Sequence, residues 1–186
     1  MNDKVKRIEV PLTSKVIESL NCGDRVLLRG TVYTARDAAH EKMIEALNRG
    51  ESLPFDLQGQ VLYFVGPSPA TPEQVIGSAG PTTAGRMDSY SPILLEWGLK
   101  GMIGKGDRSR EVIASLVKNR AVYFGAIGGA GALLADSIVS SEVIAYPELG
   151  TEAIRRLEIK DFPAIVLIDS RGENLYVRGK KEYRRI

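Results

Sequence analysis

The chain has one cysteine, one histidine and one tryptophan in 186 residues. A single thiol, Cys22, excludes an internal disulfide and fits a reducing compartment, so a cytoplasmic location is expected. The same scarcity means that this chain alone cannot hold an iron–sulfur cluster. Such clusters need several thiolates, usually four, or three where one iron is left open. His40 is the sole imidazole, so a zinc site built on histidine and cysteine has too few ligands. Long apolar runs are also missing, and none approaches the ~18 residues of a membrane-spanning helix. Nor is there an excess of charge of one sign. Against 25 Lys and Arg stand 23 Asp and Glu, for a net charge of +2, which leaves no electrostatic footprint for nucleic acid or a membrane. No apolar h-region follows Met1 to Arg7, so no secretory signal is expected.

What is present is soluble-globular composition, 44% hydrophobic and 26% charged. The length suits one domain with a real core. No repeat, low-complexity segment or linker divides the chain, so residues 1–186 are read as a single domain. The basic stretch Arg178 to Arg185 reads as a solvated tail.

The pattern alternates strand and helix. Ile8 to Val10 reads as a short strand ended by Pro11, and Ser14 to Leu20 as a short helix with Ser14 as N-cap. Asp24 to Thr34 reads as a strand that Gly30 bends, and Arg36 to Asn48 as a helix with Ala39, Met43 and Leu47 on one face, ended by Gly50. Gln60 to Gly66 is a buried strand, followed by an irregular segment carrying Pro67, Pro69 and Pro72. Ala84 to Trp97 reads as helical. Lys100 to Gly104 and Ala121 to Gly125 read as strands around an amphipathic helix at Arg108 to Asn119. A short helix at Gly128 to Asp136 follows. Ile138 to Tyr146, Ile154 to Ile159, Ala164 to Asp169 and Asn174 to Val177 are further strands. The class is α/β.

Three motifs carry candidate chemistry. In Thr34-Ala35-Arg36-Asp37-Ala38-Ala39-His40, Arg36 follows a strand and opens a helix. It reads either as a surface arginine or as an anion clamp assisted by the backbone N–H groups of the helix start. His40, one turn on, reads as a structural hydrogen-bonder or as a catalyst. In Gly80-Pro81-Thr82-Thr83-Ala84-Gly85-Arg86-Met87-Asp88, two hydroxyls and a guanidinium fall within five residues. The stretch serves equally as a capping segment, with Thr83 as N-cap, or as a carboxylate site in which Arg86 offers a bidentate fork. In Gly104-Lys105-Gly106-Asp107-Arg108-Ser109, glycines flank Lys105, which is either an exposed turn lysine or a ligand contact with close backbone approach. A fourth stretch, Gly125 to Gly131, invites a nucleotide reading. Leu134 stands where the dinucleotide fingerprint requires a third small residue, so tight backbone packing or an anion nest is the better reading.

Taken in order, the three motifs resemble the beta subunit, or C-terminal domain, of the class I iron–sulfur fumarase and tartrate dehydratase family. Gly128-Gly129, Tyr146-Pro147-Glu148-Leu149-Gly150 and Glu158 to Ala164 extend the resemblance over roughly residues 23–177. It implies a swivelling β/β/α three-layer domain and a C4 dicarboxylate substrate. It also implies an alpha subunit carrying a [4Fe–4S] cluster, whose open iron acts as Lewis acid. By matching motif, Arg36, Thr82, Thr83, Arg86 and Lys105 would face the substrate, with Thr82 as candidate base and Arg86 as its stabilising cation. Three fixed cations suit a dianion, whose desolvation they offset. The Ala84-Gly85 and Asp88 version of the turn, and Asp107-Arg108-Ser109 after Lys105, look more like the fumarase branch than the tartrate branch. The resulting expectation is the beta subunit of a fumarate hydratase, active only with its alpha subunit and binding no cofactor itself. An L-tartrate dehydratase beta subunit and a non-catalytic dicarboxylate-binding module are the alternatives.

Overall fold

A computed structural model describes residues 5–185; residues 1–4, part of the segment read for a secretory signal, and residue 186 lie outside it. The elements run β1 (Lys6–Val10), α1 (Ser14–Ser19), β2 (Arg25–Thr34), α2 (Asp37–Asn48), β3 (Val61–Tyr63), α3 (Ser91–Glu96), β4 (Gly101–Gly104), α4 (Arg110–Lys118), β5 (Val122–Gly125), α5 (Gly131–Ala135), β6 (Ile138–Ala145), β7 (Ile154–Ile168) and α6 (Leu175–Tyr183). Short 3-10 segments lie at Ala84–Met87 and Pro147–Glu152. The fold is α/β, with helices packed around one sheet.

The sheet has seven strands in the order β1-β2-β3-β4-β5-β7-β6. β1 through β5 are parallel to their neighbours, and β7 runs antiparallel to β5 and β6. β7 also pairs with β2 along most of its length, from Arg25↔Ile165 to Tyr33↔Arg156. The sheet therefore closes on itself through β2, β3, β4, β5 and β7.

The closure gives the parallel strands two apolar faces, which is why Val61 to Val65 reads as a continuous hydrophobic run. Val61, Tyr63 and Val65 join one core with Ile103, Phe124, Phe162 and Val166. Leu62 and Phe64 join a second with Met43 of α2, Leu94 of α3 and Val112 and Leu116 of α4. The first core is strand against strand: the rings of Tyr63 and Phe162, on strands that do not pair, meet edge to face at 5.2 Å. The second is strand against helix. Both rings are almost wholly buried, and each such side chain stabilises the fold by about 1.5–3 kcal/mol. This is the layering of strand, strand and helix that the resemblance implied.

Several expectations are corrected. The cap of α1 is Thr13, whose hydroxyl accepts from Val16 N at 3.3 Å, not Ser14. The single helix expected from Ala84 to Trp97 is a 3-10 turn and then α3, because Pro92 lacks an N–H and fits only the first turn of a helix. Ile154–Ile168 is one strand where two were expected. The residues read as a break, Lys160 to Pro163, stay within the strand as an irregularity: Asp161 is left-handed at a φ of 51°, and the register with β2 shifts between Leu28 and Gly30. Asn174 to Val177 is not a strand: Asn174 Oδ1 accepts from Tyr176 N at 2.8 Å and caps α6. The basic stretch is solvated, as read, but most of it is the end of that helix, and Arg178 donates to the carbonyl of Cys22 at 3.1 Å.

Candidate functional site

The five residues singled out in the sequence converge at the C-terminal edge of the parallel strands, the end at which both open and closed parallel sheets place their ligands. Arg36 follows the end of β2 and is the N-cap residue of α2. Thr82 lies against the end of β3, its N–H donating to Phe64 O at 2.7 Å. Thr83 bridges Lys105 in parallel, just beyond β4. Lys105 N donates to Thr82 O at 3.2 Å, and Ala84 N donates to Lys105 O at 2.8 Å. The two motifs are thus stitched into one short extension of the sheet. The Thr82 hydroxyl has no protein partner among the described residues, while its backbone N–H and carbonyl are both engaged.

The glycine stretch after β5 supports this edge by close packing. Gly131 lies against the Gly80 turn, with Ala79 N donating to Gly131 O at 3.0 Å. A Cβ at Gly131 would lie 2.9 Å from Gly80 N and would collide with the Ser78 hydroxyl. The side chain of Lys105 passes over Gly128, where a Cβ would lie 3.3 Å from its Cδ and 3.7 Å from its Nζ. Tight backbone packing is what these glycines do.

The electrostatics are more balanced than the count of cations suggested. Arg86 Nε donates to Asp37 Oδ1 at 2.8 Å. Arg36 Nη2 lies 3.6 Å from Asp37 Oδ2 and 3.2 Å from Glu152 Oε1. Glu152 Oε2 in turn accepts from Ala38 N at 3.1 Å. An internal carboxylate thus already takes part of the anion site at the start of α2, and two carboxylates offset the three cations. Glu152 went unnoticed in the sequence, since nothing local marks it as a neighbour of Arg36. Lys105 has no carboxylate partner among the described residues, and neither Nη of Arg86 is engaged. Those two groups, with the Thr82 hydroxyl, form the open part of the site.

His40 is fully buried beneath it. Its Nδ1 lies 2.8 Å from the carbonyl of Arg36. A carbonyl only accepts, so Nδ1 carries the proton and Nε2 is bare. Nε2 is buried without a partner. Burial pushes the imidazole pKa down to about 4, against a weaker opposing effect of the Arg36 carbonyl. His40 is therefore a neutral structural hydrogen-bonder that braces the first turn of α2, not a group that touches a ligand.

The residues present do not fit an iron–sulfur cluster. Cys22 is buried, with its Sγ 3.6 Å from Leu167 O and its thiol pKa raised, mainly by desolvation. Among the described residues, no three His, Cys, Asp or Glu side chains gather as metal ligands. No helix of the structure is long and apolar enough to cross a membrane.

The family model described as "Fumarase C-terminus" matches residues 1–179. The chain is 43% identical over 154 residues to the aerobic class I fumarate hydratase of Escherichia coli K12, covering 82% of this chain and 28% of that protein. It is 42% identical over 156 residues to fumarate hydratase 2 of Leishmania major, covering 83% of this chain and again 28% of the relative. The chain thus spans little more than a quarter of these fumarate hydratases. A putative L(+)-tartrate dehydratase subunit beta of Methanocaldococcus jannaschii is different in extent: 38% identity over 182 residues, covering 94% of this chain and 93% of that one. With a family model spanning nearly the whole sequence and relatives on both branches, this chain belongs to the fumarase C-terminus family.

Proposed function

We propose that this chain is the beta subunit of a two-chain iron–sulfur hydro-lyase. It would hydrate fumarate reversibly to L-malate in the cytoplasm, with a separate alpha subunit carrying the [4Fe–4S] cluster. The observation that carries the reading is the open triad of Lys105, the Arg86 Nη pair and the Thr82 hydroxyl, set at the ends of adjacent parallel strands and backed by Arg36. A C4 dicarboxylate presents two carboxylates, and a guanidinium with both Nη groups free takes one of them bidentately. Lys105 supplies a second cation, and Thr83 a second hydroxyl at the rim. Thr82 is the candidate to move the proton beside the leaving hydroxyl. Its alkoxide needs a cation close by, and Arg86, four residues on in the same turn, is the candidate to stabilise it. Because Cys22 is the only thiol and is buried, the cluster is assigned to the partner.

The archaeal relative gives a second reading, an L-tartrate dehydratase beta subunit, because its named subunit matches this chain nearly end to end. The deciding experiment is anaerobic turnover of fumarate, mesaconate and tartrate by this chain, with and without the cluster-bearing chain and after iron–sulfur reconstitution. Fumarate hydration in the mixture alone is the expected result. Preference for tartrate would move the substrate assignment. A stable, cluster-loaded complex that turns over none of them would overturn the enzyme reading in favour of a dicarboxylate-binding module.

A further inference from the structure

Two residues picked out in the sequence only as branch markers, Asp88 and Arg108, turn out to be partners. Arg108 Nε donates to Asp88 Oδ1 at 2.7 Å, and the Arg108 side chain is 0% exposed. The other Asp88 oxygen accepts from Ser109 N at 2.6 Å. Arg108 Nη2 donates to Ser91 Oγ at 2.6 Å. The guanidinium carbon lies 5.4 Å from the Phe64 ring centre and 5.1 Å from that of Tyr123. Every face of this cation is thus specified, and its carboxylate comes from the other site motif. Asp88 directly follows the turn that carries Arg86, and Arg108 lies three residues beyond Lys105.

The same loop is held from its other side. Gly106 O accepts from Tyr123 OH at 3.0 Å, and Gly106 N donates to Tyr176 OH at 3.2 Å. Asn174 Nδ2 donates to Asp107 Oδ1 at 2.9 Å. These groups hold the backbone on which Lys105 stands, and Asp88–Arg108 adds a side-chain link to the backbone pairing of Lys105 with Thr82 and Ala84.

We infer that Asp88 and Arg108 are positioning residues: their buried ion pair sets the spacing of Lys105 from Thr82 and Arg86, and hence the site's fit to a diacid. The inference rests on the substrate assignment proposed above. A buried ion pair is a poor source of net stability, since apolar or neutral replacements of both partners are often as stable. A pair retained for packing alone would therefore be replaceable without functional loss.

The test compares Arg108→Met, Asp88→Asn and the double variant in the assembled, cluster-loaded complex. Arg108→Met alone should lower the melting temperature, because it strands the Asp88 charge. In the double variant no buried charge is unpaired, and the amide oxygen introduced by Asp88→Asn still accepts from Ser109 N, so the melting temperature should return most of the way. Turnover should not return: kcat/KM for fumarate is expected to stay about a hundredfold below wild type, the usual consequence of misplacing reacting groups by about 1 Å. Amide exchange at Lys105 and Ala84 in the full chain should be faster in the double variant, with the central strands unchanged. Recovery of turnover together with stability, or unchanged exchange at those two amides, would overturn the inference. If wild-type complex turned over no diacid, the substrate reading would fall, and the two amides alone would decide whether the pair sets the spacing.

Discussion

Asp37 grips Arg86 by its Nε at 2.8 Å and leaves both Nη groups free. The contact joins the first turn of α2 to a turn far along the chain and orients the guanidinium while offsetting part of its charge. Arg86 is half-exposed, with its side chain at 53%, so the pair contributes at most about 1 kcal/mol to stability. Its value is orientation. Asp37→Asn keeps an acceptor for Nε and should hold kcat/KM within about tenfold. Asp37→Ala frees the guanidinium and should lower it about a hundredfold. Arg86→Ala should abolish turnover while shifting the melting temperature by only a few degrees. Steady-state kinetics and thermal melts on the same preparations check all three.

His40 gives a stability prediction with a definite sign. Its folded pKa, about 4, lies below the ordinary value of 6.5. Between these values the unfolded chain binds a proton that the folded chain does not. Stability is therefore full above pH 6.5 and falls as the pH drops toward 4, by up to about 3 kcal/mol over that window. His40→Asn can still donate to the Arg36 carbonyl but does not titrate, so it should flatten this part of the profile. Urea melts of both proteins at several pH values between 4 and 7 check it. Parallel curves would mean that another group carries the acid sensitivity.

Gly131→Ala tests the support beneath the Thr82 turn. The added Cβ would press on Gly80 N and on the Ser78 hydroxyl. Serine can rotate away but the backbone cannot, so overpacking should cost about 1–3 kcal/mol. Turnover should fall more than stability does, because Gly80 leads directly into Pro81 and Thr82. A variant equal to wild type in both would show that the turn yields freely.

Cys22→Ser separates this chain's sulfur from the cluster. The thiol is buried and makes only a weak contact with a carbonyl, so the substitution should cost about 1 kcal/mol. Iron and sulfide per assembled complex should be unchanged. Loss of iron in proportion to Cys22 removal would overturn assignment of the cluster to the partner.

Much of this architecture was legible because strand burial leaves a local trace. Gln60 to Gly66, with its continuous apolar run, and Lys100 to Gly104 read as strands, and the motifs that follow them fall where the strand ends must be. Element breaks were harder to read. Nothing local separates a strand that continues through Lys160 to Pro163 from one that stops. Asn174 serves a turn or a cap equally until the helix after it is seen. At the site, the cations were visible and their counter-ions only partly so. Asp37 stands in its motif with nothing local to mark it as a partner of Arg86, 49 residues away. Glu152 reaches Arg36 through a fold-back that has no sequence signature. Asp88 and Arg108 were each visible, but their pairing depends on how two loops lie side by side.

The closure of the sheet also bears on how the molecule is made. β7 is the last strand in the chain and pairs with β2, β5 and β6. All five residues proposed to contact the substrate precede it. On the ribosome, a nascent chain ending before Ile154 would carry every binding motif but leave β2 without its antiparallel partner. Glu152 would then lack the strand that ties its segment to the end of β2, where Thr34 Oγ1 accepts from Arg155 N at 2.9 Å. Such long-range closure slows folding and leaves sheet edges open while it waits. The arrival of β7 is thus the event that closes the frame on which these motifs stand.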